Sequence, residues 1–172
     1  MAESKRLTDA TAWEISERAE EVLSKILQGR DECGVYVQIF CGLDVTEGLR
    51  GWQQIFQFPL GYDEAFDEER RIISGHKAST LMVEHALDHN VVSSWSFRDP
   101  KRWAYGGAII VPANIPELGG DVKLLIVCDG LREEENETFG ILLARALGWG
   151  SGEQNTKIII VSGNALALRW LM

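Results

Sequence analysis

Between Asp63 and Asn90 the chain reads DEAFDEERRIISGHKASTLMVEHALDHN, and this stretch carries all three histidines of the protein, His76, His85 and His89. His85 and His89 are four residues apart, so on a helix their imidazoles share a face, with Glu84 and Asp88 available as carboxylate partners. The spacing suits a divalent metal or the iron of a surface heme. It equally suits two imidazoles that gain from the negative end of a helix, and without the glutamate of HExxH it does not choose between them. His76 precedes His85 by about two and a half turns and so falls within roughly 100° of the pair. There it either lines the same pocket edge or fills a polar gap. Lys77 has Ile73 four residues before it and Leu81 four after, an apolar stripe in which its ammonium must snorkel outward or find a partner.

Two further groups of residues could shape a site. Gly106 and Gly107 are adjacent, and their backbone either admits a ligand closely or simply turns the chain. Trp95 and Trp103 flank the FRDPKR loop, two of six tryptophans that could wall a flat ligand or serve core and subunit contacts. Gly75 interrupts the histidine-bearing segment at a cost of about 1 kcal/mol relative to alanine, which fits close packing on a strand or a break into two helices.

The elements that must hold these residues follow from periodicity. Thr11 with Glu14 has capping-box spacing, and Ala12, Ile15, Ala19, Val22, Leu23 and Ile26 form one face of a helix ending near Gly29. GVYVQIFC alternates as a central strand, with Val35, Val37, Ile39 and Cys41 on one side and Tyr36, Gln38 and Phe40 on the other. WQQIFQF completes a hairpin across a long glycine-rich loop, and Pro59, Gly61 and Asp63 end it. VVSSWSF reads as a short β run, AIIVP and VKLLIVC as two antiparallel strands, and LREEENETFGILLARALGW as a helix whose acidic start suits its positive end. TKIIIVSG reads as a last strand before the tail NALALRWLM. Strand runs lie next to one another instead of alternating with helices. The expected fold is therefore α+β: an antiparallel sheet of about five strands in one domain covering residues 1–172.

Composition removes several function classes. With 172 residues, 45% hydrophobic and 25% charged, the chain is an ordinary globular one. A net charge of -9 without any Lys or Arg run argues against nucleic acid and against an anionic membrane. No apolar stretch follows the first basic residues and no window approaches eighteen apolar residues, so a cytoplasmic location is expected. Three cysteines without CxxC spacing make a structural zinc site improbable. GWGSG lacks the context of a phosphate loop, and neither a Ser-His-Asp order nor a nucleophile elbow is present. Any catalysis would need a reactive cofactor, and the expectation leans away from an enzyme.

RRIISGHKASTLMVEH, GGAIIVP, VKLLIVCDGLREEENETF and the hairpin VYVQIFCG to WQQIFQF, in this order and spacing, resemble the GlcG/HbpS-like heme-binding family and the related PduO C-terminal domains. The likeness covers roughly residues 10–149, leaving 150–172 as an extra strand and tail, and Val127-Cys128-Asp129-Gly130 stands where the family has Val-Ser-Gly. The resemblance implies a profilin- or GAF-like sheet with helices on both faces, homo-oligomers, and in some members heme or another tetrapyrrole as ligand. Lysine recurs in the family at the position of Lys77, which suggests recognition of a carboxylate or propionate. The expected ligand-binding residues are accordingly His76, Lys77, Trp103, Gly106 and Gly107, with His85 and His89 for a metal. The alternative expectation is a protein-interaction or assembly subunit in which the tail lies across a neighbour.

Overall fold

The structure is a computed structural model that describes residues 6–30, 34–42, 51–61, 64–97, 99 and 106–171. Trp103, Cys33 and Asp63 lie outside the described residues. Helix α1 (Asp9–Leu27) is followed by strands β1 (Val35–Gly42) and β2 (Trp52–Leu60), helix α2 (Glu64–Leu87), strands β3 (Ala108–Ile115) and β4 (Gly120–Asp129), and helices α3 (Glu133–Ala146), α4 (Gly152–Ser162) and α5 (Ala165–Leu171). The strands form one antiparallel sheet in the order β2-β1-β4-β3, so the architecture is α+β. No helix among the described residues is long and apolar enough to cross a membrane.

Period-two alternation in β1 and β4 decides which helix covers which face. Val35, Val37, Ile39 and Cys41 join Leu124, Ile126 and Cys128 in a core closed by α1, α3, α4 and α5. On the other face Leu125, Val127, Ala108 and Ile110 meet Ala78 and Leu81 of α2, with Phe40 and Trp52 partly buried at the margin. The two central strands are apolar on both faces, as a sheet sandwiched between helices demands. Helices on both faces are thus observed.

Two runs expected as strands are not. TKIIIVSG belongs to α4: Ser151 caps it by accepting from Gln154 N at 3.1 Å, while the Gln154 amide reaches back to Ser151 N at 2.6 Å. In that helix Ile158 and Ile159 are buried and Ile160 and Val161 exposed, so the β-branched run splits by a period of 3.6 and not of 2. VVSSWSF contributes one bridge, Ser93 to Ile109, and then turns into a 3-10 helix over Ser94–Phe97. Four strands are described instead of about five. Helix α1 begins a turn earlier than expected, because Thr8 and not Thr11 accepts the capping bond, from Thr11 N at 3.2 Å. Helix α2 runs unbroken through Gly75.

Candidate functional site

Helix α2 positions the chemistry-bearing residues, and its two ends face different ends of the sheet. Asp129 and Tyr36 pair at one end of the β1–β4 ladder, and Lys123 and Gly42 at the other. Lys77 meets Asp129, whereas His85 meets Lys123. Their separation of eight positions corresponds to about 12 Å of helix. Lys77 and the histidines therefore do not form one site.

At the Asp129 end, Lys77 is 4% exposed. Its Nζ donates to Asp129 Oδ1 at 2.6 Å and to Cys128 O at 3.1 Å. Arg70, two turns earlier on α2, donates from Nη1 to Asp129 Oδ2 at 3.0 Å, so one carboxylate takes two cations. A buried charge without such pairing would cost several kcal/mol, on the order of 3–5, which explains why the β4 terminus carries an aspartate here.

The glycine pair closes around this ion pair. Gly107 has φ +111°, and a Cβ there would stand 2.6 Å from Cys128 O, 2.8 Å from Asn136 Cβ and 3.2 Å from Lys77 Nζ. A Cβ on Gly106 would stand 2.5 Å from the Trp95 ring, and Gly106 N donates to Glu133 Oε1 at 2.6 Å. Both glycines are therefore required by close approach: Lys77, Asn136 and Trp95 occupy the space a side chain would take. Asn136 holds the turn after β4, accepting from Leu131 N at 3.0 Å and donating to Leu131 O at 3.1 Å.

Beside the ion pair, on the α2 face of β1 and β2, lies a row of polar side chains that composition and motif gave no reason to single out. Tyr36 Oη donates to Gln57 Oε1 at 3.3 Å, Gln54 Nε2 donates to the same oxygen at 2.8 Å, and Gln38 Nε2 donates to Gln54 Oε1 at 3.4 Å. Gln38 is 4% exposed and its Oε1 has no partner among the described residues; the same holds for the hydroxyl of Ser74, fully buried on α2. The signal was present in VYVQIFC, where Gln38 is the one polar residue of an otherwise apolar run.

The histidines are placed quite differently from one another. His76 is exposed on the outer side of α2. His85 is buried, and because Val91 O can only accept, the bond of 2.8 Å puts the proton on Nδ1 and turns the Nε2 lone pair toward Lys123 Nζ at 3.4 Å. Burial holds its pKa below the ordinary value, with Lys123 and His89 acting in the same direction and the Val91 carbonyl against it. His89 is exposed, with its ring 5.2 Å from that of His85, edge to face. Both nitrogens of His85 are thus engaged, which does not fit iron or metal ligation by that residue; the imidazoles open to a ligand are His76 and His89. Among the described residues no group of three His, Cys, Asp or Glu side chains is placed to hold a metal ion.

A cavity of about 320 Å³ lies elsewhere, bounded by Ile26 and Leu27 of α1, the Arg30–Glu135 ion pair, and Leu166 and Trp170 of α5. None of the described residues expected to bind ligand lines it. Comparison of the chain with protein-family models, with curated proteins and with solved structures finds no match.

Proposed function

We propose that this protein binds a small ligand, in the manner of the GlcG/HbpS-like proteins it resembles, at the sheet end formed by α2, the terminus of β4 and the Gly106–Gly107 turn. The carrying observation is the buried ammonium of Lys77 set directly against bare Gly107 backbone, with Arg70 on the second oxygen of the same aspartate. Two cations converge there in a chain of net charge -9, which favours a ligand presenting a carboxylate or similar anionic group able to exchange with Asp129. Heme or another tetrapyrrole, whose propionates are such groups, is the ligand class the resemblance supplies. The profilin- or GAF-like description of the sheet, the homo-oligomeric state and the cytoplasmic location belong to the same reading. Among the described residues no constellation supports catalysis without an added cofactor.

Titration of the purified protein with hemin, followed at the Soret band, tests the tetrapyrrole assignment. A saturable shift near one equivalent, weakened in Lys77→Met and in whichever of His76→Ala or His89→Ala removes the iron ligand, is expected. Absence of any saturable shift in the parent protein would remove heme from the proposal.

A second reading, a protein-interaction or assembly subunit, is favoured by Ile160, Val161 and Leu168, which are 66%, 41% and 42% exposed on α4 and α5. Deleting residues 164–172 and measuring mass by light scattering decides part of it: unchanged mass and solubility would exclude a role for this tail in assembly.

A further inference from the structure

Glu137 is an acidic residue in a place that offers a charge almost nothing. It is 0% exposed on α3, beneath the 3-10 turn Ser94–Phe97 and the C-terminal end of α4. Ser93, also fully buried, donates to its Oε1 at 2.6 Å. Its Oε2 has no hydrogen-bond partner among the described residues. The nearby Ser162 hydroxyl donates to Ile159 O at 2.9 Å and also acts on the Glu137 carboxyl in favour of its ionised form.

Among the described residues no cation faces Glu137 from the turn before β3, from β3, or from α4 and α5. The Ser93–Phe97 segment and β3 contain no ionisable side chain. On α4 Glu153 and Lys157 are exposed, as is Arg169 on α5. The charged group acting on Glu137 is Glu133, one turn earlier on its own helix, and it repels. Ser93 in turn organises the covering turn: its Oγ accepts from Trp95 N at 3.1 Å, and its carbonyl accepts from Ser96 Oγ at 2.7 Å.

We propose that Glu137 is a proton-operated latch: while protonated it keeps the Ser93–Phe97 turn and the end of α4 closed over α3, and once ionised it draws water in and loosens both. Burial supports this by pushing the carboxyl up to about 7, with Ser93, Ser162 and the Trp95 backbone opposing and Glu133 adding to the rise. A folded-state pKa raised above the ordinary 4.5 makes the closed form most stable at low pH. Stability then declines as pH rises through the window between them and levels off above the folded value. Within that window the opening equilibrium grows about tenfold per pH unit. Because the Trp95 ring packs on Gly106, the latch bears on the turn that carries the glycine pair, although it does not depend on any ligand being bound there.

The test is amide hydrogen exchange of the whole protein from pH 5 to 8, corrected for intrinsic rates, read for residues 91–97 and 158–164. In the parent, protection in these two segments falls by about fortyfold between pH 5 and 7 and levels off toward pH 8. Glu137→Gln, which keeps the shape and cannot ionise, is flat across the range in both. Ser93→Ala, which removes a bond favouring the ionised form, moves the plateau to higher pH and decides the matter should Glu137→Gln fail to fold. The proposal is overturned by a flat parent, by the same slope in Glu137→Gln, by a Ser93→Ala plateau that stays put or falls, or by a loss of protection spread evenly over the chain.

Discussion

Lys77 and Asp129 illustrate how a single side chain can be read from sequence and yet need the structure to acquire a partner. A lysine four residues from an isoleucine on one side and a leucine on the other must lie in an apolar stripe, and it does. The carboxylate that meets it is 52 residues away, beyond the reach of any local pattern. Lys77→Met leaves Asp129 buried with Arg70 alone, and urea denaturation should show a loss of about 3–5 kcal/mol. The histidine pair shows the converse. Its i,i+4 spacing was legible, but burial of His85 is decided by Val91 and Lys123, so the sequence could not separate a free ligand from a structural imidazole. With its pKa held below 6.5, His85 resists protonation in the fold, and its contribution to stability is present above pH 6.5 and lost as pH falls below it. His85→Asn, whose amide can still donate to Val91 O, should abolish that acid-side loss when the two proteins are compared in denaturant titrations from pH 5 to 8. A difference that does not change with pH would show that folding leaves the His85 pKa where it is in the unfolded chain.

Among the elements, α2 and the turn before β3 each carry a glycine, and the two play opposite roles. Gly75 sits within the helix with nothing within 4 Å of where a Cβ would be, so neither close packing nor a break explains it. Gly75→Ala should stabilise the protein by about 0.5–1 kcal/mol. Gly107 combines a left-handed φ with three contacts below 3.4 Å, and Gly107→Ala should cost about 2–5 kcal/mol, from backbone strain together with overpacking. A thermal-shift comparison of the two variants reads both signs at once, and two values of the same sign would contradict this assignment of roles. The helical stripe of α1 was legible because it buries one face against the sheet, and β1 and β4 were legible as strands because both of their faces are apolar. TKIIIVSG was not, because three isoleucines and a valine satisfy either period and the deciding cue was the Ser151–Gln154 capping pair ahead of them. VVSSWSF had strand-like residues, but Ser93 and Ser94 spend their hydroxyls on Glu137 and Ala108 N and fold the run into a turn.

At the scale of the molecule, the sheet separates two environments. The α1–α3–α4–α5 face is a continuous apolar core, whereas the α2 face is apolar only near Leu81 and becomes polar toward Gln38, Ser74 and Asp129. Under the proposed function that asymmetry assigns the ligand to the Asp129 end, and it was half visible in the sequence, as one glutamine in a central strand and one lysine in a helix stripe. The C-terminal segment forms α5 and packs on α3. Asn164 accepts from Leu166 N at 3.0 Å and Ala167 N at 3.2 Å, and donates to Glu134 O at 3.0 Å. The most direct measurement of the central claim is a crystal structure of the protein grown with saturating hemin. The account predicts a propionate within hydrogen-bond distance of Lys77 or Arg70, with Asp129 displaced from at least one of them. A porphyrin seated in the α1–α5 cavity, with the Lys77–Asp129 pair intact, would contradict it.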